Sequence, residues 1–224
     1  MYYAKPGGDI YFADDFEAHE VHKGIEHQPA TRGGKWQVST GDPQSYYVDN
    51  NTSFGEGFKC LHARGGAELV AVGNRPLDLS GTATVTVDLD VFIRSDSAYP
   101  NIMPNPLTKS RHQTAISLKA AGQDTPLIGA RAAAGAWQYW DKNTYVDSEV
   151  KIAYDVWNHL QMALDTATGM YQVVVQPVGE MPILAAKGTW AGKPAAEVHF
   201  VISPSHTEGH SSLYDNILIA SRPD

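Results

Sequence analysis

Between Thr84 and Arg94 the chain alternates with period two. Val85, Val87, Leu89, Val91 and Ile93 fall on one side, and Thr84, Thr86, Asp88, Asp90, Phe92 and Arg94 on the other. That pattern predicts a long strand with one wet face. The same alternation runs from His159 to Asp165 and from Tyr171 to Gln176. Between those two segments lies Thr166-Ala167-Thr168-Gly169, whose glycine accepts the positive φ of a tight turn, so the pair reads as a β-hairpin. Further strands are expected at 10–13, 36–39, 45–48, 58–63, 68–72, 112–119, 126–132, 136–140, 183–187, 197–202 and 212–220. Turn residues separate them, which points to a sandwich or barrel. No long stretch has the helical period. The alanine-rich 130–136 segment is bracketed by Gly129 and Gly135 and is read as strand and turn.

The chain has 224 residues and no Pro/Gly/Ser-rich linker, so one domain over residues 1–224 is expected. Hydrophobic residues make up 42% and charged residues 19%, a composition that supports a real core. The formal net charge is −8 and Lys/Arg residues do not cluster, which argues against a nucleic-acid partner. A few local arginines still suffice to bind an anionic polymer. No apolar run approaches the ~20 residues of a membrane-spanning helix. Residues 1–6 do not read as a signal peptide and fit the cut edge of a longer exported protein. The single cysteine, Cys60, forbids an internal disulfide and lies in an apolar run that predicts a buried thiol.

Candidate chemistry concentrates between residues 111 and 145. Arg111, Gln113, Arg131, Trp137, Tyr139 and Trp140 form the candidate carbohydrate-binding set, with His112 and Tyr145 beside them. A pyranose stacks its C–H face on an aromatic ring, while planar Arg and amide groups bind hydroxyls or carboxylates. Alternation puts Trp137 and Tyr139 on one face and Trp140 on the other. Both sets cannot line one surface, so at least one belongs to the core. The competing reading is that all of them are core or rim.

Other polar clusters read as structural. Asp88 and Asp90 share a strand face at i and i+2, as solvated aspartates commonly do. His19, Glu20, His22, Glu26 and His27 have zinc-type donors, but a solvated acidic loop is the better reading. His206-Thr207-Glu208-Gly209-His210 lies between Pro204 and serines, so it reads as a turn and not as a metal-binding helix. Asn50 and Asn51 each begin an Asn-x-Ser/Thr triplet, relevant only in a glycosylating host. Nucleophile-elbow, phosphate-loop and dinucleotide motifs do not occur.

Three motifs, in order, carry a family resemblance. Asp14-Asp15-Phe16-Glu17 is followed by Trp36; Val156-Trp157-Asn158-His159-Leu160 precedes Asp165 and Met170-Tyr171-Gln172-Val173; and Leu213-Tyr214-Asp215-Asn216-Ile217-Leu218-Ile219 closes the chain. Together they resemble the concanavalin A-like lectin/glucanase superfamily, laminin-G-like domains included. The resemblance implies an all-β jelly roll of two antiparallel sheets, with the first and last strands adjacent and a concave sheet that often binds sugar. It implies a structural Ca²⁺ site whose ligands here would be Asp15 or Glu17, the Gly57 carbonyl and Asp215, oxygen donors of the kind Ca²⁺ takes. The Glu-x-Asp-x-x-Glu run of the glucanase members is missing. Jelly-roll lyases use a tyrosine acid/base, which would be Tyr139 or Tyr145, with Arg111, His112, Gln113 or Arg131 neutralising a uronate. Their Arg-x-Glu-x-Arg and Gln-Ile-His strands are missing too.

The sequence thus supports a module that recognises a polysaccharide or glycan without cleaving it, in an extracellular or periplasmic setting. A polysaccharide lyase or glycoside hydrolase on the same scaffold is the rival. A structural module that binds no sugar is the third reading.

Overall fold

The computed structural model describes residues 9–50, 57, 59–64, 67–79, 83–95, 112–190, 195, 197–204 and 211–223. Fifteen strands occur among them: β1 (Asp9–Asp14), β2 (Gly34–Thr40), β3 (Tyr46–Asp49), β4 (Cys60–Arg64), β5 (Glu68–Gly73), β6 (Ala83–Ile93), β7 (His112–Ala120), β8 (Pro126–Ala133), β9 (Ala136–Asp141), β10 (Thr144–Lys151), β11 (Trp157–Asp165), β12 (Met170–Pro177), β13 (Ile183–Thr189), β14 (Val198–Pro204) and β15 (Ser211–Pro223). The described helical structure is one 3₁₀ turn, Pro43–Ser45, capped by the Asp42 carboxylate.

The strands form two antiparallel sheets. The seven-stranded sheet runs β10-β9-β8-β7-β14-β5-β2, and the eight-stranded sheet runs β13-β12-β11-β6-β15-β4-β3 with β1 also on β15. The two ends of the chain meet as expected: Asp14 pairs with Ile217 and Ile10 with Ala220. Strand β15 is long enough to hold β4 along its first half and β1 along its second.

The period-two pattern becomes burial directly. Val85, Val87, Leu89, Val91 and Ile93 are all in the core between the sheets, where Leu160, Met162 and Leu164 of β11 meet them. Two buried tyrosines stitch the layers. Tyr214 of β15 hydrogen-bonds Thr114 of β7, and the Tyr46 hydroxyl on β3 donates to the carbonyls of Ala67 at 2.8 Å and Ile202 at 3.1 Å. Burying a phenol is tolerable only with such partners, because a lone buried hydroxyl costs about 1–3 kcal/mol.

The connection from β1 to β2 departs from the solvated loop expected of it. Asp14 is fully buried and accepts Trp36 Nε1 at 2.6 Å, His19 Nε2 at 2.9 Å and Thr31 Oγ1 at 3.1 Å. His19 is therefore a clasp that folds the loop onto the core. His27 stays exposed beside Glu26, so the loop histidines do not converge. Segment 144–151 forms strand β10, absent from the sequence-based list because its edge position leaves it mixed polar and apolar throughout.

Candidate functional site

The outer face of the seven-stranded sheet collects the candidate residues that survive folding. Along β9 the side chains alternate, so Trp137 and Tyr139 point inward while Gln138 and Trp140 point out. Trp137 is 1% exposed, and Tyr139 packs against the same core. Trp137 leaves the candidate sugar-binding set, because a covered ring cannot stack on a ligand, and Tyr139, half-buried on the same side, is turned away from the outer face. Arg131 of β8 sits opposite Gln138, and Tyr145 of β10 opposite Trp140. These four side chains form one patch from three neighbouring strands.

Their contacts fix the patch. Arg131 Nε donates to Gln138 Oε1 at 2.6 Å, and its guanidinium lies 4.2 Å from the centre of the Tyr145 ring. Trp140 meets Tyr145 edge to face, with centroids 5.0 Å apart. Gly129 makes room for this: a Cβ there would stand 3.1 Å from the Tyr145 hydroxyl and 3.1 Å from the Ile116 carbonyl. Tyr145 therefore reaches across β8 toward Ser117. Burial pushes its phenol up to about 12, against the opposing pull of Arg131. Farther along the face, Glu68 Oε1 accepts Lys119 Nζ at 2.7 Å and Ser203 Oγ at 2.9 Å.

Beside Trp140 opens a cleft of about 490 Å³, walled by Gln123, Thr125, Leu127, Lys142, Tyr171 and Trp190 among others. A cleft of this size with aromatic walls and a few polar groups has the make-up of a small-ligand site. Gln138, Glu68, Lys119 and the cleft residues escaped the sequence reading because they come from distant segments. Only Gln138 carried a usable signal, its i−2 spacing from Trp140.

The remaining candidates lie elsewhere. Arg111 is outside the described residues, as are His206 to His210 and Asn51. For His112 and Gln113 the strand is described and the side chains are not. Asp88 and Asp90 stand on the outer face of the eight-stranded sheet and do not form a solvated pair. Asp90 holds His159 Nδ1 at 3.0 Å and Asn216 Nδ2 at 3.0 Å, and Asp88 accepts Gln161 Nε2 at 2.7 Å. Burial alone would lower the His159 pKa, but hydrogen bonds and charge from the two aspartates overcome it and raise it to about 9. Cys60 packs with Trp157 and Leu213 on that face, and burial, helped by Asp215 and Asp49, pushes its thiol up to about 12. It is an inert thiol.

The implied calcium ligands are already engaged. The Glu17 carboxylate accepts the Lys59 backbone N–H at 2.9 Å, while Lys59 Nζ donates to the carbonyls of Glu17 and His19, each at 2.7 Å. Asp15 Oδ1 accepts Thr31 Oγ1 at 2.8 Å, and Asp215 Oδ1 accepts the Asn216 N–H at 2.7 Å. Gly57 is half-buried. The Lys59 ammonium thus sits on main-chain carbonyls beside the carboxylates that the resemblance assigns to Ca²⁺. Among the described residues no three His, Cys, Asp or Glu side chains gather into a metal site.

No protein-family profile and no curated protein matches the sequence. The fold has clear relatives among solved structures. The catalytic domain of the glycoside hydrolase family 131 protein from Coprinopsis cinerea superposes with a TM-score of 0.64 at 11% identity, over 97% of this chain and 96% of that one. The carbohydrate esterase vb_24B_21 from the Shiga toxin-encoding bacteriophage phi24B gives 0.59 at 12%, over 97% and 100%. Lectin I-B4 from Griffonia simplicifolia gives 0.53 at 10%, over 80% and 94%. At such identities the likeness speaks for the fold. The strand order, the zipped chain ends and this likeness agree: the chain is a concanavalin A-like jelly roll.

Proposed function

We propose that this chain recognises a glycan on the outer face of its seven-stranded sheet and does not cleave it. The observation that carries the reading is the patch of Trp140, Tyr145, Arg131 and Gln138, held in place by its own contacts and opening onto the cleft. An aromatic ring beside a fixed planar donor is what a pyranose needs, one surface to stack on and one to bind its oxygens. The solved structures of the same fold include glycoside hydrolases, a carbohydrate esterase and lectins, which supports sugar as the ligand class. The setting that suits such a module is extracellular or periplasmic.

The chemistry on this face favours binding over cleavage. Burial keeps the Tyr145 phenol neutral, a form that donates a hydrogen bond to a ligand oxygen. Retaining hydrolysis needs two carboxylates ~5 Å apart. Glu68 on β5 and Asp147 on β10 are separated by five strand spacings, ~24 Å at ~4.8 Å each.

A glycan array with product analysis tests the reading. One glycan class is expected to bind without release of product, and Trp140→Ala is expected to weaken it by about tenfold or more at an unchanged melting temperature. Release of unsaturated or reducing-end products by the native chain would overturn it. So would the absence of any glycan ligand.

A further inference from the structure

We propose that Arg131 anchors a carboxylated sugar, making the ligand of this face an acidic, uronate-containing glycan. The inference rests on the glycan-binding reading above and narrows it. It begins from an imbalance. Among Lys and Arg side chains whose burial is described, three are half-buried: Lys59, Lys119 and Arg131. Lys119 holds the Glu68 carboxylate, and Lys59 holds two backbone carbonyls. Arg131 has a neutral amide on Nε and an aromatic ring under its plane. Among the described residues no carboxylate pairs with it, in a chain with 25 acidic and 17 basic residues.

Partial burial of a cation without a counter-charge is unfavourable, and it lowers the Arg131 pKa. A ligand carboxylate would offset that cost. The geometry suits one. Nε is tied to Gln138 and one flat side rests on Tyr145, which fixes the guanidinium plane, and among the described residues its two terminal nitrogens have no acid, so they can grip a planar carboxylate with paired hydrogen bonds. The phenol and indole beside it supply a stacking surface for the sugar ring.

The cleft gives independent support. None of its lining residues is acidic, and Lys142 is one of them. In a chain of formal charge −8, a cleft whose described lining has no acid, joined to the Arg131 patch through Trp140, suits an anionic chain, although Asp141 lies close enough to act on Tyr171 in its wall. Two acids share this face. Glu68 is neutralised by Lys119, and Asp147, cross-strand from Gln138, turns its carboxylate to its own strand by accepting the Glu149 N–H at 2.8 Å.

The test is affinity electrophoresis and calorimetry of the full chain with polygalacturonate, alginate and hyaluronan. Each is set against its carboxyl-reduced form, a neutral glucan and a sulfated galactan. Binding to a uronate polymer is expected, with about tenfold or greater loss on carboxyl reduction. Arg131→Ala and Arg131→Lys are both expected to lose about tenfold on the uronate polymer, since an ammonium cannot replace the fork. Equal binding of the carboxyl-reduced polymer overturns the proposal. So does preference for the sulfated galactan, or an unchanged affinity in Arg131→Ala. If a neutral glycan binds through Trp140 and Arg131→Ala is silent, the acidic ligand is wrong while the glycan reading stands. If nothing binds, both fall. Melting curves of both variants confirm that the fold is intact.

Discussion

The two outer faces of this sandwich carry similar residue types in opposite states. On the eight-stranded sheet the described acids meet partners from their own chain: His159 lies between Asp88 and Asp90, Asn216 and Gln161 add hydrogen bonds to them, and Tyr47 binds His62 at 2.6 Å beside Asp49. Nearby, Phe92, Trp157, Leu213 and Cys60 make a small apolar cluster of their own. On the seven-stranded sheet no acid among the described residues pairs with Arg131, and Trp140 lines an open cleft. A charge that has found its partner within the chain contributes to folding. A half-buried charge without one carries a desolvation cost that a ligand of opposite charge would offset. That difference is the basis for proposing the seven-stranded sheet as the ligand face.

The sharpest way to break this contrast is to remove one charge from each face. Asp90→Ala takes a fully buried carboxylate from His159 and Asn216. It should cost about 2–4 kcal/mol, or ~5–12 °C in melting temperature for a chain of this size, with sugar affinity unchanged. Arg131→Ala should move the melting temperature by less than about 2 °C. Comparable losses from both would erase the distinction.

A smaller effect follows from pH. The His159 pKa is raised from 6.5 to about 9 in the folded chain. Its contribution to stability is therefore complete below about pH 6.5 and is lost as pH rises through 9. Discounted for its partial exposure, the loss should be on the order of 1–2 kcal/mol. His159→Gln should flatten the fall in melting temperature over that window. A native curve already flat from pH 6.5 to 9 would show that the aspartate clamp does not hold. The smallest expected effect is that of calcium. With Lys59 on the Glu17 carbonyl, added Ca²⁺ or a chelator should leave the melting curve in place. A stabilisation by Ca²⁺ would show that the opening acidic segment binds a cation.

The legible part of the fold was its layering. Val85 to Ile93 and Leu160 to Leu164 alternate strictly because one side of each strand is in the core and the other is not. Strand β10 was illegible for the converse reason: as an edge strand it has exposed positions at Asp147, Glu149 and Lys151 and only half-buried ones at Val146, Ser148 and Val150. Within the site, Trp140, Tyr145 and Arg131 could be named from composition, but the inward turn of Trp137 and Tyr139 could not. Alternation gives two faces without saying which is covered. The clasp of Asp14, His19 and Trp36 was equally hidden, since Trp36 lies 22 residues beyond Asp14 and the loop closes only through its hydrogen bonds.

By itself the sequence determined that the chain would form β-layers, because period-two hydrophobicity is a local property that survives in any compact arrangement; that the first and last strands pair was implied by the family resemblance of their motifs. It also determined that acidity would dominate the surface. Which charges would cancel was decided only by the tertiary structure, since partners such as Asp90 and His159 are 69 positions apart and meet only by strand pairing. That Arg131 meets Gln138 and Tyr145 and no acid among the described residues was decided in the same way, by which strands became its neighbours.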